Sequence, residues 1–387
     1  MGRSGKSNGR IISIIIYVAV GIILGRDFSV IYKTYLRVSM DMGLSEFFKA
    51  LLILYVFVAL TLYAALAIQV IIHESGHMVF GLLTGYKLVS FRIFSFVWIR
   101  SEGKVRFKRM SVPGTAGQCL MSPPDLVDGR MPVFLYNLGG ALMNLVFSII
   151  FFCLSRITLQ YYFLSVFLKT VALIGVSTAL TNGIPMHLGT ITNDGANALL
   201  LKKDKDATRA FWIQLKINEQ IANGIRLRYM PEEWFEVPSD EAMENSIIAS
   251  IGVLAANKLM DERKFGKVKS LTTHLLEVGG GIIGLHRCLL VCDLIYIELM
   301  EECREDIIEM LLSKEQKKIM KAMKTSITVL RTEYALALLH EKDEDKAKAI
   351  EKRFERVARK YPYPSELSGE RELVAAARSC AEGKKNK

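Results

Sequence analysis

Charge is scarce in this chain. Asp, Glu, Lys and Arg make up only 23% of its 387 residues, against 51% hydrophobic residues, and the mean hydropathy is positive at +0.27. A chain so poor in charge buries itself, so intrinsic disorder is excluded as its main state, and the composition is not collagen-like either. Cysteine is sparse and scattered, at Cys119, Cys153, Cys288, Cys292, Cys303 and Cys380. That spacing gives no disulfide framework and argues against a secreted disulfide protein. Cys288 and Cys292 share a helix face, but one pair supplies too few ligands for a structural zinc site. The length fits two or three domains.

The apolar residues fall in four runs. Residues 11–25, 50–72 and 131–154 carry no charge, and residues 161–185 carry only Lys169. About twenty apolar residues cross a bilayer as a helix. The second and third runs qualify outright, and the fourth does so if Lys169 faces protein or snorkels. The first is short and follows a basic start, as a signal peptide would, but no small-residue cleavage site comes after it; it reads as a retained span. The fold class expected is therefore an α-helical polytopic membrane protein of about four spans.

Net charge is +11, which would suit a nucleic-acid partner. Its distribution gives another reason. Residues 1–10 are basic. Residues 26–46 balance Arg26, Lys33 and Arg37 against Asp27, Asp41 and Glu46. The stretch after the second run is basic again (Lys87, Arg92, Arg100, Lys104, Arg106, Lys108, Arg109), and Lys202, Lys203 and Lys205 follow the fourth. This is the positive-inside pattern, with both termini cytosolic in a multi-pass cell-membrane protein. No nucleic acid is needed to explain the charge.

Residues 202–387 change character, becoming charged with helical periodicity and few turn signals. They predict a soluble all-α domain. The stretch from Leu259 to Lys269 partly repeats from Leu339 to Lys348, which suits either tetratricopeptide-like helix pairs or an irregular bundle. Residues 383–387 read as a disordered tail. The domains expected are 1–46 (tail, first span and external loop), 47–201 (a membrane-embedded core with a cytosolic-side loop at about 87–125) and 202–387.

The chemistry lies where the chain should be most apolar. The second run continues into His73-Glu74-Ser75-Gly76-His77. Residues four apart share a helix face, so two imidazoles can hold one Zn²⁺ from a rigid backbone. Glu74 beside them can orient a water, take its proton and pass it to a leaving amine. Polar residues this deep are functional by default, although a structural histidine pair is the bland alternative. A catalytic zinc wants a third protein ligand and an open position. The fourth run leads into Gly183, Pro185, Gly189 and Gly195, which break a helix, and into Asp194, which lies at the depth of the histidines on this topology. Asp194 is the preferred third ligand, and His187 is the alternative metal ligand.

These residues resemble the site-2 protease family of intramembrane zinc metalloproteases. The likeness rests on His73-Glu74-Ser75-Gly76-His77, on Asn182, Pro185 and Asp194-Gly195, and on the run from Gly139 and Gly140 to Asn144, and it spans roughly residues 48–201. It implies a three-span catalytic core, one Zn²⁺ per chain held by His73, His77 and Asp194, Glu74 as general base, and hydrolysis near the cytosolic face. It suggests that Asn144 and Asn182 polarise the scissile carbonyl or hold substrate backbone; bonding between spans serves Asn144 equally well. The substrate would be a membrane protein or membrane-bound peptide. Three departures stand out: Pro185 and Asp194 are further apart than usual, Asn193 replaces the usual leucine, and Ala141 stands where proline is common. No segment has room for a PDZ domain and no CBS-like module is recognisable; the helical tail takes that place, as a docking site for a protein partner or a regulator.

Residues 89–99 are rich in aromatic and β-branched side chains, and residues 104–108 alternate strictly. With Ser101-Glu102-Gly103 between them they predict a β-hairpin. It could pair with an extended substrate by strand addition or anchor at the membrane surface. Residues 113–119 and Pro123-Pro124 read as loop, with Cys119 a bystander thiol. The function expected is an intramembrane zinc metalloendopeptidase; the alternative is a non-catalytic membrane scaffold whose helical tail binds partners. A transporter is disfavoured, since four spans carry neither internal repeats nor several intramembrane charges.

Overall fold

The structure, a computed structural model, describes the chain except Met1, Gly2, Met42, Glu102, Pro113, Gly189, Thr190, Gly279, Asn386 and Lys387; several further side chains, that of His187 among them, also lie outside the description. Two compact units form. One comprises Met1–Gly85 and Pro132–Lys203, the other Tyr86–Met131 and Asp204–Lys387.

The first unit contains four helices long and apolar enough to cross a membrane: α1 (Arg3–Asp41), α2 (Leu44–Leu83), α3 (Val133–Ile157) and α4 (Tyr162–Gly183). Each covers most or all of one of the four apolar runs. Their outward side chains are apolar and exposed, as at Ile14, Leu52, Tyr55 and Ile149, while Ala65 and Val171 are fully buried between helices. A surface of that kind is stable in lipid and not in water. At about 1.5 Å per residue α2 is about 60 Å long, roughly twice the hydrocarbon thickness.

Residues 26–46 differ from the expected loop. α1 continues through Asp41 and the chain turns only at Gly43, whose φ of 106° favours glycine. The helix can carry polar residues this far because one of them has a partner: Asp27 pairs with Lys169 on α4, Oδ2 to Nζ 2.6 Å. That pair also answers the single charge of the fourth span.

α4 ends at Gly183. The chain then forms two short strands, His187–Leu188 and Ile191–Thr192, before α5 (Asp194–Lys203). Asn193 caps α5 and fastens the whole connection. Its Oδ1 accepts from the backbone N–H of Met186 and of Ala196, each at 3.0 Å, and its Nδ2 donates to the carbonyls of Thr181 at 2.8 Å and Ile184 at 2.6 Å. A leucine could do none of this, so the departure noted at position 193 has a local reason.

The second unit begins with an antiparallel sheet of β1 (Lys87–Ile93), β2 (Phe96–Ser101), β3 (Lys104–Arg109) and β4 (Gly117–Ser122), in the order β3-β2-β1-β4. The β2–β3 hairpin is the predicted one, with Ser101 opposite Lys104. Two expectations are corrected. Residues 89–99 are not one strand: Ile93 pairs with Phe96, and Phe94, at φ 52°, and Ser95 make a tight turn. The turn is held by Arg92, which is buried and donates to the Phe94 carbonyl at 2.8 Å, the Gly117 carbonyl at 3.0 Å and the Thr115 hydroxyl. An aromatic run hides such a turn because no Gly or Asn marks it. The supposed loop at 113–119 yields β4 from residue 117, with Cys119 and Met121 buried.

Helices follow: α6 (Lys205–Ala222), α7 (Ser246–Asp261), α8 (Phe265–Val278), α9 (Gly284–Met300), α10 (Glu305–Leu311), α11 (Lys314–Ala322), α12 (Ile327–Ala335), α13 (Glu344–Ala358) and α14 (Pro364–Lys385). Ile295, Leu299, Leu330 and Phe354 centre their main core. The partial sequence repeat falls on two like turns, with Arg263 at φ 60° and Lys342 at φ 56°. The likeness stops there, because helix lengths from 7 to 22 residues have no fixed period. The tail expected at 383–387 is helical as far as Lys385.

Candidate metal centre

Three elements of the first unit meet at one point. α2 supplies His73, Glu74 and His77, α3 lies against them, and the N-terminus of α5 supplies Asp194. Small residues make the approach. A Cβ on Gly76 would collide with the Gly139 carbonyl, and one on Gly139 would lie 2.6 Å from the Gly76 carbonyl oxygen. The two backbones touch only because both side chains are absent. Gly140 makes room for an imidazole: a Cβ there would lie 2.7 Å from His73 Nδ1 and Nε2. Gly195 lies on the last turn of α4, where a Cβ would strike the Gly183 carbonyl.

His73 Nε2, His77 Nε2 and Asp194 Oδ2 form a triangle with sides of 3.2, 3.1 and 3.4 Å. Ligand atoms about 2.0–2.1 Å from a tetrahedral zinc lie about 3.3–3.4 Å from one another, so the triangle is one face of such a tetrahedron. The hydrogen positions agree. His73 Nδ1 is 2.7 Å from Asn144 Oδ1, and His77 Nδ1 is 2.8 Å from the Tyr136 carbonyl oxygen. Both partners are acceptors, so each neutral ring carries its proton on Nδ1 and turns the Nε2 lone pair to the centre. Asp194 Oδ2 is buried and receives no hydrogen bond. With both rings neutral, three electron-pair donors face one another, an arrangement that a cation relieves. The residues fit zinc.

A second layer holds the first. Asn144, fully buried on α3, has no spare amide hydrogen: its Nδ2 donates to Gln69 Oε1 at 2.7 Å and to the Gln69 carbonyl at 2.9 Å. Both of its amide hydrogens are spent on α2 and its Oδ1 faces His73, contacts of the kind that bonding between spans would make. Gln69 in turn donates to the Val171 carbonyl of α4 at 2.9 Å. One chain of bonds therefore runs from α4 through α2 and α3 to the His73 ring. Sequence reading passed over Gln69, although it sits one turn before His73 on the same face, as His73 does before His77.

Asn182 is half-buried on the last turn of α4, with Nδ2 on the Thr178 carbonyl at 3.0 Å. Glu74 is buried, next to His73 in sequence. The His187 side chain lies outside the described residues, so its alternative role has no geometry. Cys119 belongs to the second unit, in the sheet opposite Phe91.

No curated protein and no solved structure matches the chain significantly. A family profile does, and it bears on the same helices: that of peptidase family M50 covers residues 61–339, from the turns of α2 that precede His73 into the helical region. With the match extending over well more than half of its length, the chain belongs to peptidase family M50, the zinc-dependent membrane metalloproteases.

Proposed function

We propose that the protein is an intramembrane zinc metalloendopeptidase that cuts membrane-spanning or membrane-associated peptides near the cytosolic face. The observation that carries the reading is the triangle of His73 Nε2, His77 Nε2 and Asp194 Oδ2, with each ring's Nδ1 on an acceptor on its far side. His73, His77 and Asp194 would hold one Zn²⁺. Bound there, zinc would lower the pKa of a water to about 7 and polarise the substrate carbonyl. Glu74 takes the water's proton on its carboxylate and returns it to the leaving amine. Asn144 keeps the His73 ring in its tautomer. Asn182, at the edge of the site, meets substrate backbone.

A substrate must be extended at the cut, because a helix holds its carbonyls in its own hydrogen bonds. β3 is an edge strand of a sheet whose outer face carries Phe96, Trp98 and Phe107 in ring contact, with Arg109 over Phe96 at 4.8 Å. Such a face suits the lipid–water interface, and such an edge suits strand addition. Four spans and the basic segments support cytosolic termini, which leaves the helical region available to a cytosolic protein partner.

The first test is zinc per chain in purified protein. The expected result is about one zinc in the wild type and in His187→Ala, and none in Asp194→Ala. Glu74→Gln should retain the metal and lose hydrolysis of a membrane-spanning reporter. A metal-free wild type after zinc supplementation would leave a scaffold as the reading, and loss confined to His187→Ala would move the third ligand.

A further inference from the structure

Between Tyr63 and His73, α2 reads Ala64-Ala65-Leu66-Ala67-Ile68-Gln69-Val70-Ile71-Ile72, with Gln69 the only polar side chain. An amide is costly in lipid unless it is bonded. Gln69 is 1% exposed, and both ends of its side chain are bonded: Nε2 donates to the Val171 carbonyl at 2.9 Å, and Oε1 accepts from Asn144 Nδ2 at 2.7 Å. Its place is cleared on α4, where a Cβ on Gly175 would collide with the Gln69 amide and the Ser148 hydroxyl.

The two histidines are oriented in different ways. His77 Nδ1 faces a backbone carbonyl, that of Tyr136, which can only accept. His73 Nδ1 faces the side-chain amide of Asn144. Such an amide accepts through its oxygen or, turned over, donates through its nitrogen. Turned over, Asn144 would offer His73 a donor, and the neutral ring would move its proton to Nε2, among the other two ligand atoms. Asn144 must therefore be held one way round.

Its direction is set at the far end of the chain of bonds. The Val171 carbonyl can only accept, so the end of Gln69 facing it is Nε2 and the end facing Asn144 is Oε1. Oε1 and the Gln69 backbone carbonyl can only accept, so Asn144 turns Nδ2 to both and Oδ1 to His73. The neutral His73 ring then keeps its proton on Nδ1 and faces His77 and Asp194 with the Nε2 lone pair. Two backbone carbonyls, one on α4 and one on α2, fix the sense of every bond up to the ring.

We propose that Gln69 is a positioning residue of the metal centre, a relay that carries the polarity of a backbone carbonyl on α4 through Asn144 to His73 and so decides which ring nitrogen is free for the metal. The inference rests on the zinc-ligand role proposed above for His73 and deepens it. A merely structural Gln69 would tie α2 to α4, and an apolar side chain of the same length would fill its place.

The test uses the full chain in lipid nanodiscs with isotopically labelled histidine. Nitrogen NMR of the metal-free protein reads whether His73 Nδ1 carries the proton, the His73 signals being those missing from His73→Asn. Chelator competition reads zinc affinity. Gln69→Met keeps the length and removes the polarity; it should shift part of the His73 proton to Nε2 and weaken zinc binding about tenfold. Gln69→Glu, kept neutral by burial, donates its O–H to the Val171 carbonyl and accepts from Asn144, and should keep the wild-type tautomer and affinity. Gly175→Ala displaces the amide without replacing it; it should act as Gln69→Met does and guards against a folding defect in that variant. A wild-type tautomer in both Gln69→Met and Gly175→Ala, or a loss in Gln69→Glu as large as in Gln69→Met, would overturn the proposal. The tautomer is read without metal, so a wild type that binds no zinc yet shows these proton shifts upholds the relay and overturns the zinc reading instead.

Discussion

At the scale of single residues, the two histidines of the proposed metal site depend on neighbours outside it. Asn144 supplies the acceptor that holds the proton of His73 on Nδ1. Asn144→Leu should therefore weaken zinc binding about 10–100-fold in a chelator competition, and Asn144→Asp, which keeps the acceptor, should lose less. Equal losses in the two variants would mean that Asn144 acts through packing alone. Gly140→Ala should displace the His73 ring and lower zinc content while leaving the helical region's exchange protection intact. Asp293 gives a prediction in pH. Its carboxyl, at about 6 in the folded chain, holds a proton at pH 5 that an unfolded carboxyl has mostly released. The folded state thus binds the extra proton, and stability rises as pH falls from 7.5 to 5, by about 1.4 kcal/mol. Hydrogen exchange of α9 in the wild type, corrected for intrinsic rates, should show that gain relative to Asp293→Asn, which has no proton to take up. A gap that stays constant with pH would count against it.

At the scale of elements, what was legible follows from what each signal depends on. The four spans were legible because lipid imposes length and apolarity on every residue of a run. His73 and His77 were legible because helix geometry alone puts them on one face. Asp194 was within reach only through depth and chemistry, since what brings it to the histidines is a connection held at Asn193 by four hydrogen bonds, none of them visible in a sequence pattern. Asn193→Leu should free that connection, with faster hydrogen exchange over residues 184–196 and weaker zinc binding while α2 and α3 stay protected; unchanged exchange there would refute the role. The turn at Phe94 escaped notice because its determinant is a guanidinium two residues away, buried in a strand where arginine is ordinarily exposed. The helix pairs that looked like a repeat were legible as turns and no further, because a shared turn needs only a few residues, whereas a shared array needs every pair to be the same length.

At the scale of the whole molecule, four spans would put both termini on one side. Epitope tags at the two ends should be open to protease together in inverted vesicles and shielded together in right-side-out ones; opposite behaviour of the two tags would remove one helix from the set of spans. The pair between Asp27 and Lys169 bears on how that set is assembled. The chain is made from its N-terminus, so α1 is already in the bilayer, its Asp27 in place, long before α4 emerges. A lone ammonium entering lipid is costly, and here its counter-charge is waiting for it. The first helix is then more than an anchor: it is a template laid down in advance, and a chain that lost it after synthesis would be left with a charge on α4 that nothing else in the first unit is described as answering.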